Sequence, residues 1–308
     1  MSDPVSVVDI TLGVGVAAAA VVATFHPKRA ASVTVFVGAG VLLVGIWARL
    51  GAADVALAEA ALAAGVTGAL LIATVAHDGQ GAPGPTRRRG ARVVGELLLA
   101  LGMAGALTAT AVPAANRTIG PDALARQATA ALDNAAVVHP VTAVLLDFRA
   151  YDTLLEIVVL TVAAISALAL QPRGEMTVAA VPTDRRPALT VLFRALAPVL
   201  VLLAAWLLVA GSTRPGGAFQ SGAVLTGLII MGLITGAIRL PRRPVLPLLI
   251  VVGAAMFVAL AGLTAVGGGW LTIGGPFAVA AILALETAMA VSIGAALATL
   301  LVAQEPSR

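Results

Sequence analysis

The stretch Trp47–Gly68, WARLGAADVALAEAALAAGVTG, decides the class of this protein, because it opens an apolar helix that carries a carboxylate, Glu59, into a membrane. An ionised side chain at the centre of a bilayer helix costs roughly 2.5 to 3.5 kcal/mol on insertion scales, so such residues face protein or water and mark ion paths. Beyond Glu59, the residues Ala60, Ala64 and Gly68 recur every fourth position, a small-residue face that lets another helix come close. Glu59 therefore reads either as an ion relay or as an interfacial carboxylate satisfied by its neighbours. Asp54 reads first as a cap on the N-terminus of this helix, accepting backbone N–H bonds, and second as a member of the same ion path.

The composition agrees with a membrane setting. It is 60% hydrophobic and 11% charged over 308 residues, with a mean hydropathy of +1.03, whereas soluble domains run near a quarter charged. Cysteine is absent, and the histidines are His26, His77 and His139, which leaves no ligand pattern for zinc, haem or iron–sulfur. No cofactor is expected, and any redox chemistry belongs to a partner. The net charge of +4 sits in short loops between apolar spans, where basic residues act as topology signals, so nucleic acid is not an expected partner.

The expected fold is an all-α, polytopic membrane helix bundle with about nine transmembrane helices at roughly 20 residues each. They cover Val5–Phe25, Ala31–Trp47, Val55–Ala76, Val93–Val112, Thr153–Leu170, Ala188–Ala210, Phe219–Ile238, Val245–Val266 and Pro276–Val302. Loops with Lys28 and Arg29, with Arg87 to Arg92, with Arg173 to Arg186 and with Arg239 to Arg243 alternate with basic-poor ones. By the positive-inside rule the basic loops are cytoplasmic, the N-terminus is outside and the C-terminus inside. Linkers at His77–Arg92 and Gln171–Pro187 divide the chain into modules at 1–80, 90–172 and 186–305. The helices bearing Glu59, Glu156 and Glu286 all then start on the outer side. At 1.5 Å per residue, Glu59 and Glu156 lie roughly 5 to 8 Å below their helix starts and Glu286 about 15 Å below.

In the second module, HPVTAVLLDFRAYDTLLEIVVL (His139–Leu160) joins an apolar approach segment to Asp147, Arg149, Asp152, Thr153 and Glu156. Asp152 and Glu156 are spaced i, i+4, so they share one helix face if the helix reaches back to Asp152. The pair could hold a proton or a sodium ion, while Arg149 could instead make a structural ion pair with Asp147 or Asp152. In the third module, Pro215, Gly216 and Gly217 of GSTRPGGAFQSGAVLTG (Gly211–Gly227) make a tight turn, and Gly222 and Gly227 permit close helix packing. It lacks the GxxxxGK[ST] pattern of a phosphate loop. Gln220 and Arg214 could border an ion vestibule. His77, at the end of its helix, reads as an interfacial side chain or a relay. Trp47, Trp206 and Trp270 fall near helix ends, as an aromatic belt requires.

Those motifs carry a family resemblance. Trp47–Gly68 resembles the D-type module, and His139–Leu160 the E-type module, of membrane-bound hydrogenases and of the C-terminal end of the large A subunit of Mrp cation/proton antiporters. The part from about Pro187, with RPGGAFQSG and the acid-bearing last helix, resembles the antiporter B subunit. Ala218, Ala150 and Leu155 stand where glycine is usual in these motifs. The resemblance implies a fused subunit of a multisubunit sodium/proton antiporter related to the membrane arm of complex I, in the cell membrane. It implies Na⁺ and H⁺ as the transported ions, with other antiporter subunits and lipid as partners. It also implies roles in ion passage for Glu59 and Glu156. An ion-translocating subunit of an energy-converting hydrogenase and a bridging structural subunit remain as alternatives.

Overall fold

The computed structural model of the chain describes residues 6–68, 71, 75, 89–115, 123–170, 187–238 and 244–302, and every element among them is helical. Helix α1 (Val7–Phe25) starts at a reciprocal cap in which Ser6 Oγ accepts from the Asp9 N–H and Asp9 accepts from the Ser6 N–H. This satisfies two of the N–H groups that a helix start leaves without partners. Helix α2 (Arg29–Arg49) runs back beside α1, and Arg49 Nε donates to Asp9 Oδ1 at 2.8 Å, tying the last turn of α2 to the first of α1.

Gly51, at φ +72°, turns the chain into α3 (Ala53–Ala58), which continues as wide π-type turns from Glu59 to Thr67. The third helix presses on α2 at Gly68, where an added Cβ would lie 2.9 Å from Val37 Cγ2. Of the small-residue face expected from the sequence, Gly68 makes this contact, whereas Ala60 is exposed. Asp54 occupies the first turn of α3, and no side chain caps that helix. The carboxylate expected to cap it has partners elsewhere in the fold.

Two compact units divide the chain: Met1–Val75 with Leu132–Arg308, and Ala76–Ala131. The second holds α4 (Arg89–Ala115) and α5 (Ala123–Ala131). In the first, a short helix α6 (Pro140–Ala143) runs into wide turns from Val144 to Phe148 and is followed at once by α7 (Ala150–Leu170). Pro140 opens α6 at a first-turn position, where a missing N–H does no harm. Ala143 and Leu146 are buried, so this segment is part of the core.

The core of the larger unit is built on α11 (Ala278–Val302), whose Ile282, Leu285, Met289 and Ile293 are buried. Around it pack α7, α8 (Pro187–Ala210), α9 (Ala218–Ile234) and α10 (Val245–Val266). Small residues set the spacing. A Cβ on Gly222 of α9 would fall 2.7 Å from Ile293 Cβ, and one on Gly253 of α10 would fall 3.1 Å from Met289 Cα. Gly227 has open space around it, so it is not a packing glycine, because it lies on the exposed face of α9. Hydroxyls join the helices too: Thr161 of α7 and Ser292 of α11 both donate to the Ile250 carbonyl of α10. Such hydroxyls bind helices together in lipid without exposing a charge.

Six described helices are long and apolar enough to cross a membrane: α1, α2, α7, α8, α10 and α11. Helix α9 has 17 residues and falls just short of that length, and α4 contributes the apolar stretch Leu101–Thr110. The third helix is described continuously only as far as Gly68. His77 and the linker stretches 76–88 and 171–186 lie outside the described residues.

Candidate ion site

A cavity of about 450 Å³ lies within the larger unit, between α3, α6, α7, the 211–217 turn, α9 and α11. Three carboxylates from distant parts of the chain reach its wall: Asp54 of α3, Glu156 of α7 and Glu286 of α11. Most of the remaining lining is apolar, with Thr142, Thr153 and Gln220 adding neutral oxygens.

Glu286 is the deepest of the acids, with 3% of its surface exposed, and its Oε2 has no hydrogen-bond partner. Its carboxylate faces the first turn of α9, beside the backbone of Ala218. The positive end of a helix dipole and unpaired N–H groups make that position favourable for an anion. Gly217 caps α9 at φ +119°, and Cβ atoms on Gly211 and Gly217 would come 3.3 and 3.1 Å from Glu286 Oε1. Glycine at both positions leaves room for the carboxylate against backbone.

Asp54 joins three parts of the chain. Its Oδ2 lies 2.9 Å from His139 Nε2, its Oδ1 accepts from the Gly216 N–H at 3.2 Å, and its carbonyl accepts from Gln220 Nε2 at 3.4 Å. Nearby, Thr142 donates to the Gly211 carbonyl and the His139 N–H to the Ser212 carbonyl at 3.1 Å. These bonds fix the 211–217 turn against α6. Thr153, which is buried, donates to the Leu145 carbonyl at 2.7 Å and closes the wide turns of Val144–Phe148 onto α7 while facing the cavity.

The other sequence-derived candidates lie around this centre. Glu156 is exposed and lines both the cavity and an open groove along α7 formed with Asp152, Leu155 and Val159. Arg149 Nη2 pairs with Asp152 Oδ2 at 2.6 Å, and the guanidinium is largely exposed. Asp147 accepts from the Ala136 N–H at 3.2 Å, which ties the wide turns back to the stretch before α6. Glu59, half-buried at the first of the wide turns, does not line the cavity. His139 and Thr142 are residues to which the sequence alone assigns no role. The signal for His139 was its place directly before Pro140 at the start of a buried helix. Among the described residues no cluster of three or more His, Asp or Glu could enclose a metal ion.

A bundle of apolar helices with a carboxylate-lined cavity between them defines a multi-pass membrane protein. Three families match it in succession: MbhD, the D-type subunit of MBH, over residues 14–78; MbhE, the E-type subunit of MBH, over 87–186; and "Domain related to MnhB subunit of Na+/H+ antiporter" over 188–304. Together these matches run from residue 14 to residue 304, so segments related to MbhD, MbhE and MnhB follow one another in one polypeptide.

Among solved structures, it resembles a chain of the Mrp complex from Dietzia sp. DQ12-45-1b, with a TM-score of 0.73 at 22% identity over 97% of this chain. This chain spans 35% of that one. A chain of the membrane-bound sulfane sulfur reductase, an archaeal respiratory membrane complex, matches with a TM-score of 0.50 at 22% identity, covering 71% of this chain and 98% of that one. No curated protein sequence matches.

Proposed function

We propose that the chain is a subunit of a multisubunit monovalent cation/proton antiporter in the cell membrane and supplies intramembrane carboxylates to the ion path. The observation that carries this reading is the cavity in which Asp54, Glu156 and Glu286, one from each fused segment, face a common space. The transported ions are Na⁺ and H⁺, and no resident cofactor is needed. A carboxylate in a dry site either takes a proton or holds a cation, so alternate occupation of one site exchanges the two ions. Glu286, with an orphaned Oε2, is the binding group; Glu156, which also borders the α7 groove, is the outlet. Asp152 and Glu59 extend the path, with Arg149 and Asp147 supporting it. The role is that of a secondary-transporter subunit.

Other subunits of the complex are the expected partners. An exposed carboxylate on a spanning helix is costly against lipid, which supports a protein neighbour over the α7 face carrying Glu156. Nine spans, with the N-terminus outside and the C-terminus in the cytoplasm, complete the reading, supported by the alternation of basic loops. The likeness to a respiratory complex favours a second reading, in which the same helices translocate ions for a redox-driven assembly.

Glu156→Gln, Glu286→Gln and Glu59→Gln should each abolish Na⁺-dependent proton exchange in membrane vesicles, with the complex still assembled. Wild-type exchange in all three would sink the proposal. Mass spectrometry of chains co-purifying with the native protein separates the two readings: antiporter subunits alone support the first, iron–sulfur subunits the second.

A further inference from the structure

We propose that His139 is a positioning residue for cation binding: its imidazole holds the Asp54 carboxylate at the cavity wall, where the D, E and B segments meet. The inference rests on the reading of that cavity as a cation path. An ionised carboxylate only accepts hydrogen bonds, so at 2.9 Å the proton sits on His139 Nε2, which donates to Asp54 Oδ2. Both side chains are 12% exposed, so water competes little for this bond. The backbone that carries the imidazole is itself anchored: the His139 N–H donates to the Ser212 carbonyl, and Pro140 follows at the start of α6.

The type of donor matters. Asp152 is paired with the Arg149 guanidinium, which cancels its charge as it orients it. Asp54 is oriented instead by an imidazole N–H and a backbone N–H, one on each oxygen. Of roughly four lone-pair positions on a carboxylate, these bonds occupy two, and the remainder are free to face a cation in the cavity. The same hydrogen bond joins the first segment to the second, while Gly216 and Gln220 bring in the third.

The test compares two amides in the whole complex, in everted vesicles from a host without its own antiport. The amide nitrogen of glutamine reaches about as far from the backbone as Nε2; asparagine, one methylene shorter, does not. His139→Asn is expected to raise the Na⁺ concentration for half-maximal exchange about tenfold, because a buried bond to a charged group is lost. Maximal rate should stay within about twofold, as it does when only binding is weakened. His139→Gln should restore both values to within about twofold of wild type. Wild-type behaviour in His139→Asn, or equal impairment in His139→Gln, overturns the proposal. So does a fall in complex abundance with an unchanged Na⁺ requirement, which is the mark of a purely structural role. If the wild-type complex shows no Na⁺-dependent exchange, the antiporter reading fails, and this inference with it.

Discussion

At the residue scale, the arrangement around Glu286 depends on what is missing from its neighbours. A Cβ on Gly211 would meet Gly217 Cα at 2.7 Å and Gly217 N at 2.9 Å. Both are backbone atoms, so Gly211→Ala must move the turn that faces the carboxylate. Exchange is expected to fall at least about tenfold, the loss that roughly 1.4 kcal/mol of misplacement produces, while the protein still inserts. Gly217→Ala adds strain at φ +119° and should do the same. Gly227→Ala, with open space around its site, is the control and should leave exchange unchanged. Vesicle exchange assays at matched protein levels read all three. Glu286 was legible in the sequence as the one charge within a long apolar run. Local spacing favours Asp54 as a helix cap, but the structure gives it other partners, His139 and Gly216, which lie far along the chain. Hydrogen bonds across such separations leave no periodic trace.

At the element scale, the apolar helices were readable and their contacts were not. Helix α10 matches the expected span Val245–Val266, because a long apolar run bounded by Pro and Gly has one obvious reading. The second E-segment helix begins at Ala150, three residues before the expected Thr153, since Asp152 and Tyr151 are tolerated in a first turn. The wide turns at Glu59–Thr67 and Val144–Phe148 were not legible, as composition does not distinguish them from ordinary helix. Close packing of α9 and α10 on α11 has a direct consequence. Gly222→Ala and Gly253→Ala insert a methyl where the nearest atoms are 2.7 and 2.9 Å away. Each should destabilise the purified complex by about 1 to 3 kcal/mol, as overpacking does. A lower midpoint in thermal unfolding would register it; an unchanged midpoint would mean the helices part easily.

At the scale of the whole molecule, the chain lacks cysteine, so a single introduced thiol reports its own side of the membrane. Thr86→Cys and Thr183→Cys should react with an impermeant maleimide only from the cytoplasm, and Thr118→Cys only from outside. Labelling of all three from one side would break the alternating topology. The large apolar faces of α1, where Val7, Val14 and Val21 are exposed, are suited to lipid or neighbouring chains. The junction at Asp54 has a further consequence for assembly. Were its three walls separate polypeptides, closing the cavity would require bimolecular encounters and would depend on how much of each was made. Covalent linkage turns those encounters into intramolecular ones at an effective concentration that reaches the millimolar range for short linkers. The composition of this cavity is therefore set during translation, independent of expression level, with one copy of each wall in every molecule.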